Sequence, residues 1–197
     1  MTLPPVERPG PVDIADPEQV TAVVEAARGA RPVRGTTVVV AVDGRSGSGK
    51  TVLGIAVAQT LACPVVHLDA IYPGWDGLAA GVALATRHVL EPLSRGEQAA
   101  YPRWDWMRSR PGRTLAVPAG PHLVLEGCGA LVPPAAAFAA VRVWLEAPPE
   151  VRKERALSRD GEAYAPHWDR WAAQEDAVYA RARPWETADL VLGTVAA

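Results

Sequence analysis

The sequence predicts an α/β protein, a parallel sheet with helices on both faces. Three observations carry that expectation. Thr37 to Val42 is a β-branched apolar run of the kind that fills a strand buried on both sides. It enters Gly44-Arg45-Ser46-Gly47-Ser48-Gly49-Lys50-Thr51, and Val52 to Ala58 leaves that turn as an apolar stretch of helix length. Two later apolar runs, Val65 to Leu68 and Leu123 to Leu125, each end in a carboxylate, Asp69 and Glu126. The carboxyl ends of parallel strands are where open α/β sheets bind ligands.

The glycine-rich turn has the spacing Gly, four residues, Gly-Lys-Thr, which is the phosphate-binding loop pattern. Its three glycines and two serines let backbone N–H groups converge on an anion. The helix that starts near Gly49 adds its positive end to the same point. Gly44, Arg45, Ser46, Gly47, Ser48, Gly49, Lys50, Thr51 and Val52 are the expected ATP-binding set. Lys50 is expected to bridge the β- and γ-phosphates, and the Thr51 hydroxyl to ligate Mg²⁺. Of 20 Lys and Arg residues only Lys50 and Lys153 are lysines. A chain that prefers Arg this strongly keeps Lys where a compact point charge must reach between phosphates.

The bulk properties narrow the classes. A length of 197 residues suits one domain with small excursions, and 49% hydrophobic residues can build a sizeable core. A net charge of −2 argues against a nucleic-acid-binding surface. Cys63 and Cys128 lack metal spacing and suggest no disulfide framework, so a reduced, cytoplasmic protein is expected. Met1 to Gly10 is polar and Pro-rich, unlike a signal peptide. No apolar run reaches membrane length, and no membrane partner is expected.

In chain order, residues 1–15 read as a loose leader with four prolines. Asp16-Pro17-Glu18-Gln19 is a helix start, with Asp as the cap and Pro at the first helical position. Val20, Val23, Val24 and Ala27 follow at helical spacing, and Gly29 ends the helix. Residues 1–35 are thus an arm and a helix packed on a core of residues 36–197. Cys63-Pro64 ends the helix after the loop, and the strand Val65–Leu68 follows. His67 is expected in the core or a helix interface, without a role. Tyr72 to Gly77 is a rigid aromatic turn, followed by a helix from Leu78 to Leu90 that Pro92 closes.

Tyr101 to Arg110 alternates aromatics, one carboxylate and three arginines, a mixture suited to a polar aromatic substrate or a phosphate. Arg113 to Val117 reads as a short strand, Pro133 to Phe138 as a short helix, and Val141 to Leu145 as the next strand. Cys128 is read as a small core residue beside the site. Pro148-Pro149-Glu150 opens a helix through about Ser158, carrying Arg152, Lys153, Arg155 and Arg159; Arg155 and Arg159 lie four apart on one helical face. Asp160-Gly161-Glu162 marks a hinge, so residues of about 150–166 form a lid able to set guanidinium groups on a transferring phosphate. Pro166 to Arg183 is a long helix with a core stripe of Trp168, Trp171, Ala172, Val178 and Tyr179. Leu190 to Leu192 is the last strand.

In this order the motifs resemble those of the uridine kinase group of phosphate-loop kinases. Gly44 to Thr51 is similar to its ATP loop. Leu68-Asp69-Ala70-Ile71-Tyr72 resembles its Asp-x-Phe-Tyr segment, whose Asp is the catalytic base. Tyr101-Pro102-Arg103-Trp104-Asp105-Trp106 resembles its nucleoside-contacting Pro-x-Tyr-Asp segment. Leu125-Glu126-Gly127 resembles its Glu-Gly strand end, and Glu150 to Asp160 its lid helix. Ile71 stands where that group has Phe, Trp104 where Tyr is usual, and nothing between Tyr72 and Tyr101 has a counterpart. The resemblance implies a three-layer phosphate-loop fold with a five-stranded parallel sheet in the order 2-3-1-4-5.

The expected activity is ATP- and Mg²⁺-dependent phosphoryl transfer to a hydroxyl of a small molecule, for instance a nucleoside. Lys50, Asp69, Arg155 and Arg159 are the expected catalytic residues, with Asp69 taking the acceptor proton. Thr51 and Glu126 are the expected metal side chains, Glu126 through water. Asp69, Tyr72, Trp75, Arg103, Trp104, Asp105, Arg108 and Arg110, within a region of about 70–113, are the expected acceptor side. Two other readings stand beside it. A nucleoside monophosphate kinase would use Arg103, Arg108 and Arg110 as a clamp. A non-catalytic ATP-binding switch would need the loop but no base.

Overall fold

The structure, a computed structural model, describes residues 14–194. Most of the leader expected at the start of the chain lies outside them. Helix α1 (Pro17–Gly29) begins as its sequence predicts: the Asp16 carboxylate accepts the Glu18 N–H at 2.9 Å, and Pro17 occupies the first turn. Such a cap is worth about 1 kcal/mol.

Strands β1 (Val38–Asp43), β2 (Val65–His67), β5 (His122–Glu126), β6 (Ala139–Glu146) and β7 (Leu190–Gly193) form one parallel sheet in the order β2-β5-β1-β6-β7. Counted among these five strands alone, that is the expected 2-3-1-4-5. β1 is the central strand and is buried along its whole length, as its unbroken apolar run requires. Its odd and even residues serve two cores. Val39 and Ala41 pack with Leu123, Leu125, Leu78, Val82 and Trp171. Val40 and Val42 pack with Val143, Leu145, Leu53, Val57, Val23 and Val24. Helices α1 and α2 (Lys50–Thr60) therefore cover one face. Helices α3 (Leu78–Ala85) and α6 (Trp168–Ala182) cover the other.

One expectation needs correction. The helix from Leu78 does not stop before Pro92. It passes through a π-helical turn, Thr86–Leu90, into α4 (Glu91–Ser94), which contains Pro92. The widened turn relaxes the hydrogen-bond ladder just where proline cannot donate. The sequence assigns no element to Tyr101 to Arg110, most of which is strand. β3 (Ala99–Asp105) and β4 (Arg110–Val117) pair antiparallel as a separate two-stranded hairpin. A proline and an irregular register between Pro102 and Trp104 hide its strand pattern.

Register places the site. His67 lies directly opposite Glu126 across β2 and β5, and Val42 opposite Glu126 across β1 and β5. The ends of β1, β2 and β5 thus meet beside the phosphate loop. Helix α5 (Pro149–Asp160) and the residues from 161 to 167 lead back to α6.

Candidate active site

The loop is anchored from below. Asp43, fully buried at the end of β1, accepts the N–H groups of Gly44 at 2.7 Å and Gly129 at 2.9 Å and the Tyr179 hydroxyl at 2.6 Å with one oxygen. Its other oxygen accepts the Leu131 N–H at 2.8 Å. Burial pushes the Asp43 carboxyl up to about 6, against the pull of these four donors.

The loop is also clamped from the side, at Ser46. Its N–H donates to the Glu175 carboxylate of α6 at 2.8 Å, and its carbonyl accepts the Arg152 Nη1 of α5 at 3.3 Å. Its hydroxyl lies 3.6 Å from the Cys128 sulfur and also bonds Tyr164, whose pKa burial raises despite that bond. Gly47 carries φ +79°, and a Cβ there would stand 2.0 Å from the Arg152 carbonyl oxygen, so only glycine lets α5 approach.

Lys50 opens α2, nearly buried. Burial disfavours its ammonium, but Cys128, Asp69, Glu126 and Glu175 outweigh that and hold it above the ordinary lysine range. The Thr51 hydroxyl donates to Glu126 Oε2 at 3.1 Å. The other oxygen of this buried Glu126 lies 2.5 Å from His67 Nδ1. Burial lowers the His67 pKa, but the Glu126 bond and charge, with Asp69, raise it beyond its ordinary value. Gly54, one turn into α2, leaves room for Glu126, whose Cβ and Cγ would lie 3.1 Å from a Cβ at that position.

Asp69 sits in the short turn Leu68–Ala70 after β2, densely surrounded yet open to solvent. Desolvation and Glu126 raise its carboxyl; Lys50, Arg159 and His67 oppose them, and the net direction is upward. Its backbone carbonyl accepts the Trp106 indole N–H at 2.9 Å. Arg159 holds Asp160 through two bonds of 2.8 and 2.6 Å, within the electrostatic reach of Asp69 and Glu126. Arg155 turns instead to the Thr194 hydroxyl at 3.0 Å, which itself donates to the Ser48 carbonyl at 3.1 Å.

The expected acceptor residues divide. Tyr72 is core: it is fully buried, its hydroxyl donates to the Cys128 carbonyl at 2.7 Å, and its ring packs on Trp171 at 4.8 Å. Asp105 and Arg108 pair with each other at 2.9 Å and close the hairpin turn. Arg103 and Arg110 are exposed on the hairpin. Trp104 lies in reach of Gly74, and Trp106 sits on the Asp69 carbonyl from the turn that follows β3. Trp75 packs within an aromatic cluster that includes Trp106, the residue bonded to the Asp69 carbonyl. It stacks on Tyr164 at 5.3 Å and on His167 at 4.4 Å, and meets Trp106 at 4.8 Å. α6 holds this turn through Gln174 Nε2 on the Trp75 carbonyl at 2.6 Å and through an Arg170–Asp76 ion pair.

The residue set suits a nucleotide and a hard cation. Ser48 Oγ and Trp104 Nε1 are buried polar atoms without partners among the described residues. The first turn of α2 leaves N–H groups free of intrahelical partners. Among the described residues no three His, Cys, Asp or Glu side chains form a metal cage. Thr51 with Glu126 is a sparse oxygen pair, of the kind that suits Mg²⁺ when phosphates and waters complete the shell.

Asp43, Glu175, Arg152, His67, Tyr164 and Trp106 were not among the expected site residues. Glu175 left a signal, since it falls between Trp171 and Tyr179 at four-residue spacing, a carboxylate on an apolar stripe. Arg152 left another, three residues before Arg155 on one helical face.

No family profile and no curated protein sequence matches the chain. Solved structures do. A possible uridine kinase from Bacillus stearothermophilus is 20% identical, with a TM-score of 0.65 over 89% of this chain and 97% of that one. A candidate fructose transport system kinase from Silicibacter sp. TM1040 is 23% identical, with a TM-score of 0.57 over 87% of this chain and 98% of that one. With the strand order and the loop geometry, these likenesses show that the chain has the phosphate-loop kinase fold.

Proposed function

We propose that the protein is an ATP- and Mg²⁺-dependent kinase that phosphorylates a hydroxyl of a small molecule. The observation that carries this reading is convergence. Lys50, the Thr51–Glu126 pair and Asp69 meet at the carboxyl ends of β1, β2 and β5, within mutual electrostatic reach. Residues 36–197 are the kinase domain, about 70–113 the acceptor side and about 150–166 the lid.

Loop N–H groups and Lys50 hold the β- and γ-phosphates. Thr51 and Glu126 would hold Mg²⁺, which supplies neutralising charge to the phosphates when bound. The acceptor hydroxyl attacks the γ-phosphorus, the bond from that phosphorus to the β–γ bridging oxygen breaks, and ADP leaves with the bond's electron pair. The proton of the hydroxyl passes to Asp69, whose raised pKa makes it a stronger base than a free carboxylate. Arg159 steadies charge on the transferring group. Arg155 acts through Thr194 and the Ser48 carbonyl on the loop.

A hydroxyl acceptor is favoured over a monophosphate because Arg108, one of the three arginines of the expected clamp, is tied to Asp105. A nucleoside is the first acceptor to test and a sugar the second, given what the two similar structures are said to be. The test is transfer from ATP·Mg²⁺ to a panel of nucleosides, nucleoside monophosphates and sugars, read by product mass. A product that disappears in Lys50→Ala supports the reading. Asp69→Asn is expected to slow turnover about 10²- to 10⁴-fold while ATP affinity holds. ATP binding without transfer to any of these acceptors would favour a nucleotide switch.

A further inference from the structure

Glu175 is a buried carboxylate that the proposed transfer does not use. It is 1% exposed and lies on α6, 129 residues from the loop it touches. One oxygen, Oε1, accepts three donors: the Ser46 N–H at 2.8 Å, the Trp171 indole N–H at 3.0 Å and the Cys128 thiol at 3.2 Å. The other, Oε2, lies 3.8 Å from Arg45, which makes its closer contact with Asp176 at 2.6 Å. The bonding work is therefore concentrated on one oxygen, and the charge of the other is weakly engaged. Opposite it, Arg152 holds the Ser46 carbonyl. The Ser46 residue is thus fixed from both sides, by α6 and by α5.

An anion-binding loop needs its N–H groups aimed inward before the anion arrives, or binding must supply the ordering. We infer that Glu175 is a positioning residue that, by accepting the Ser46 N–H, holds the phosphate loop in its nucleotide-ready shape. The inference rests on the reading of this loop as the nucleotide site. What matters is the reach of Oε1 rather than the negative charge. A glutamine keeps an oxygen at that distance and turns its NH₂ toward Arg45, which retains Asp176. An aspartate keeps the charge but falls one methylene short of Ser46.

The experiment compares Glu175→Gln, Glu175→Asp and Lys50→Ala with the unaltered protein. ATP·Mg²⁺ binding is measured by calorimetry, amide exchange at Ser46 without nucleotide, and KM for ATP against kcat where turnover is present. Glu175→Asp is expected to bind ATP about tenfold or more weakly, with faster Ser46 exchange, a raised KM and kcat within about twofold. Glu175→Gln is expected to stay within about threefold of the unaltered protein. Three outcomes overturn the inference: both variants bind normally, Gln is as weak as Asp, or Gln is the weaker. Retained ATP affinity in Lys50→Ala would instead remove the nucleotide reading itself. Glutamine fills the same buried space and aspartate leaves it one methylene short, so thermal unfolding confirms that each variant is folded at the assay temperature.

Discussion

Replacing Gly47 by alanine tests how tightly α5 is pressed against the phosphate loop. Two costs add. At φ +79° an alanine pays a backbone penalty of roughly 1–2 kcal/mol. Its methyl would also stand 2.0 Å from the Arg152 carbonyl oxygen, 2.6 Å from the carbonyl carbon and 2.7 Å from the Cα. All three are backbone atoms of a helix, so no side-chain rotation relieves the clash. Loop and helix must separate by about 1 Å or more, and overpacking of that kind costs about 1–3 kcal/mol. The sum is about 2–5 kcal/mol. At about 2–4 °C per kcal/mol for a chain of this size, the midpoint should fall by roughly 4–20 °C. The same separation opens the 3.3 Å bond from Arg152 to Ser46, so ATP affinity should fall as well. Gly96→Ala is the control. Gly96 has φ +73° but nothing within 4 Å of a Cβ, so it carries the backbone penalty alone. Thermal unfolding of both variants by circular dichroism, with ATP titrations, reads the difference. Equal losses of stability and unchanged ATP affinity would refute the close contact between α5 and the loop.

Other perturbations separate stability from function. Gly54→Ala should gain up to about 1 kcal/mol in helix propensity. It also crowds Glu126 at 3.1 Å, so the Mg²⁺ dependence of turnover should shift while the melting temperature holds or rises; an unchanged Mg²⁺ titration argues against the crowding. Asp43 titrates near 6 in the fold and 3.8 unfolded, so the folded state binds its proton more tightly. Its contribution to stability is therefore greatest below about pH 4 and is lost as pH rises through 6, a total of about 3 kcal/mol once pH is above both values. Asp43→Asn should show a flatter pH–stability curve between pH 4 and 6, measured by urea unfolding. Trp106→Phe removes the donor on the Asp69 carbonyl; KM for the acceptor should rise several-fold with KM for ATP unchanged, and equal rises in both would place Trp106 elsewhere in the mechanism.

The site was legible wherever its parts are neighbours in the chain. The loop declares itself through eight consecutive residues. Asp69 and Glu126 declare themselves by ending apolar runs. The hairpin was harder, since proline and an irregular register interrupt its alternation. The choice among Arg152, Arg155 and Arg159 was not legible at all. Their spacing gives one helical face, and only packing decides which of them lies against Ser46, which reaches Thr194 and which faces Asp69.

What the sequence alone determined is the local grammar: a strand buried on both faces, a phosphate loop, a capped first helix, and carboxylates at two strand ends. These rest on backbone geometry and on spacing within a few residues. The tertiary structure decided the partners. His67 meets Glu126 across 59 residues, Ser46 meets Glu175 across 129, and Asp43 meets Tyr179 across 136. A buried polar group must find a partner, but the residue types near it in the chain do not say which. Only the parallel register of β1, β2 and β5, and the return of α6 onto the loop, bring these groups within hydrogen-bond distance.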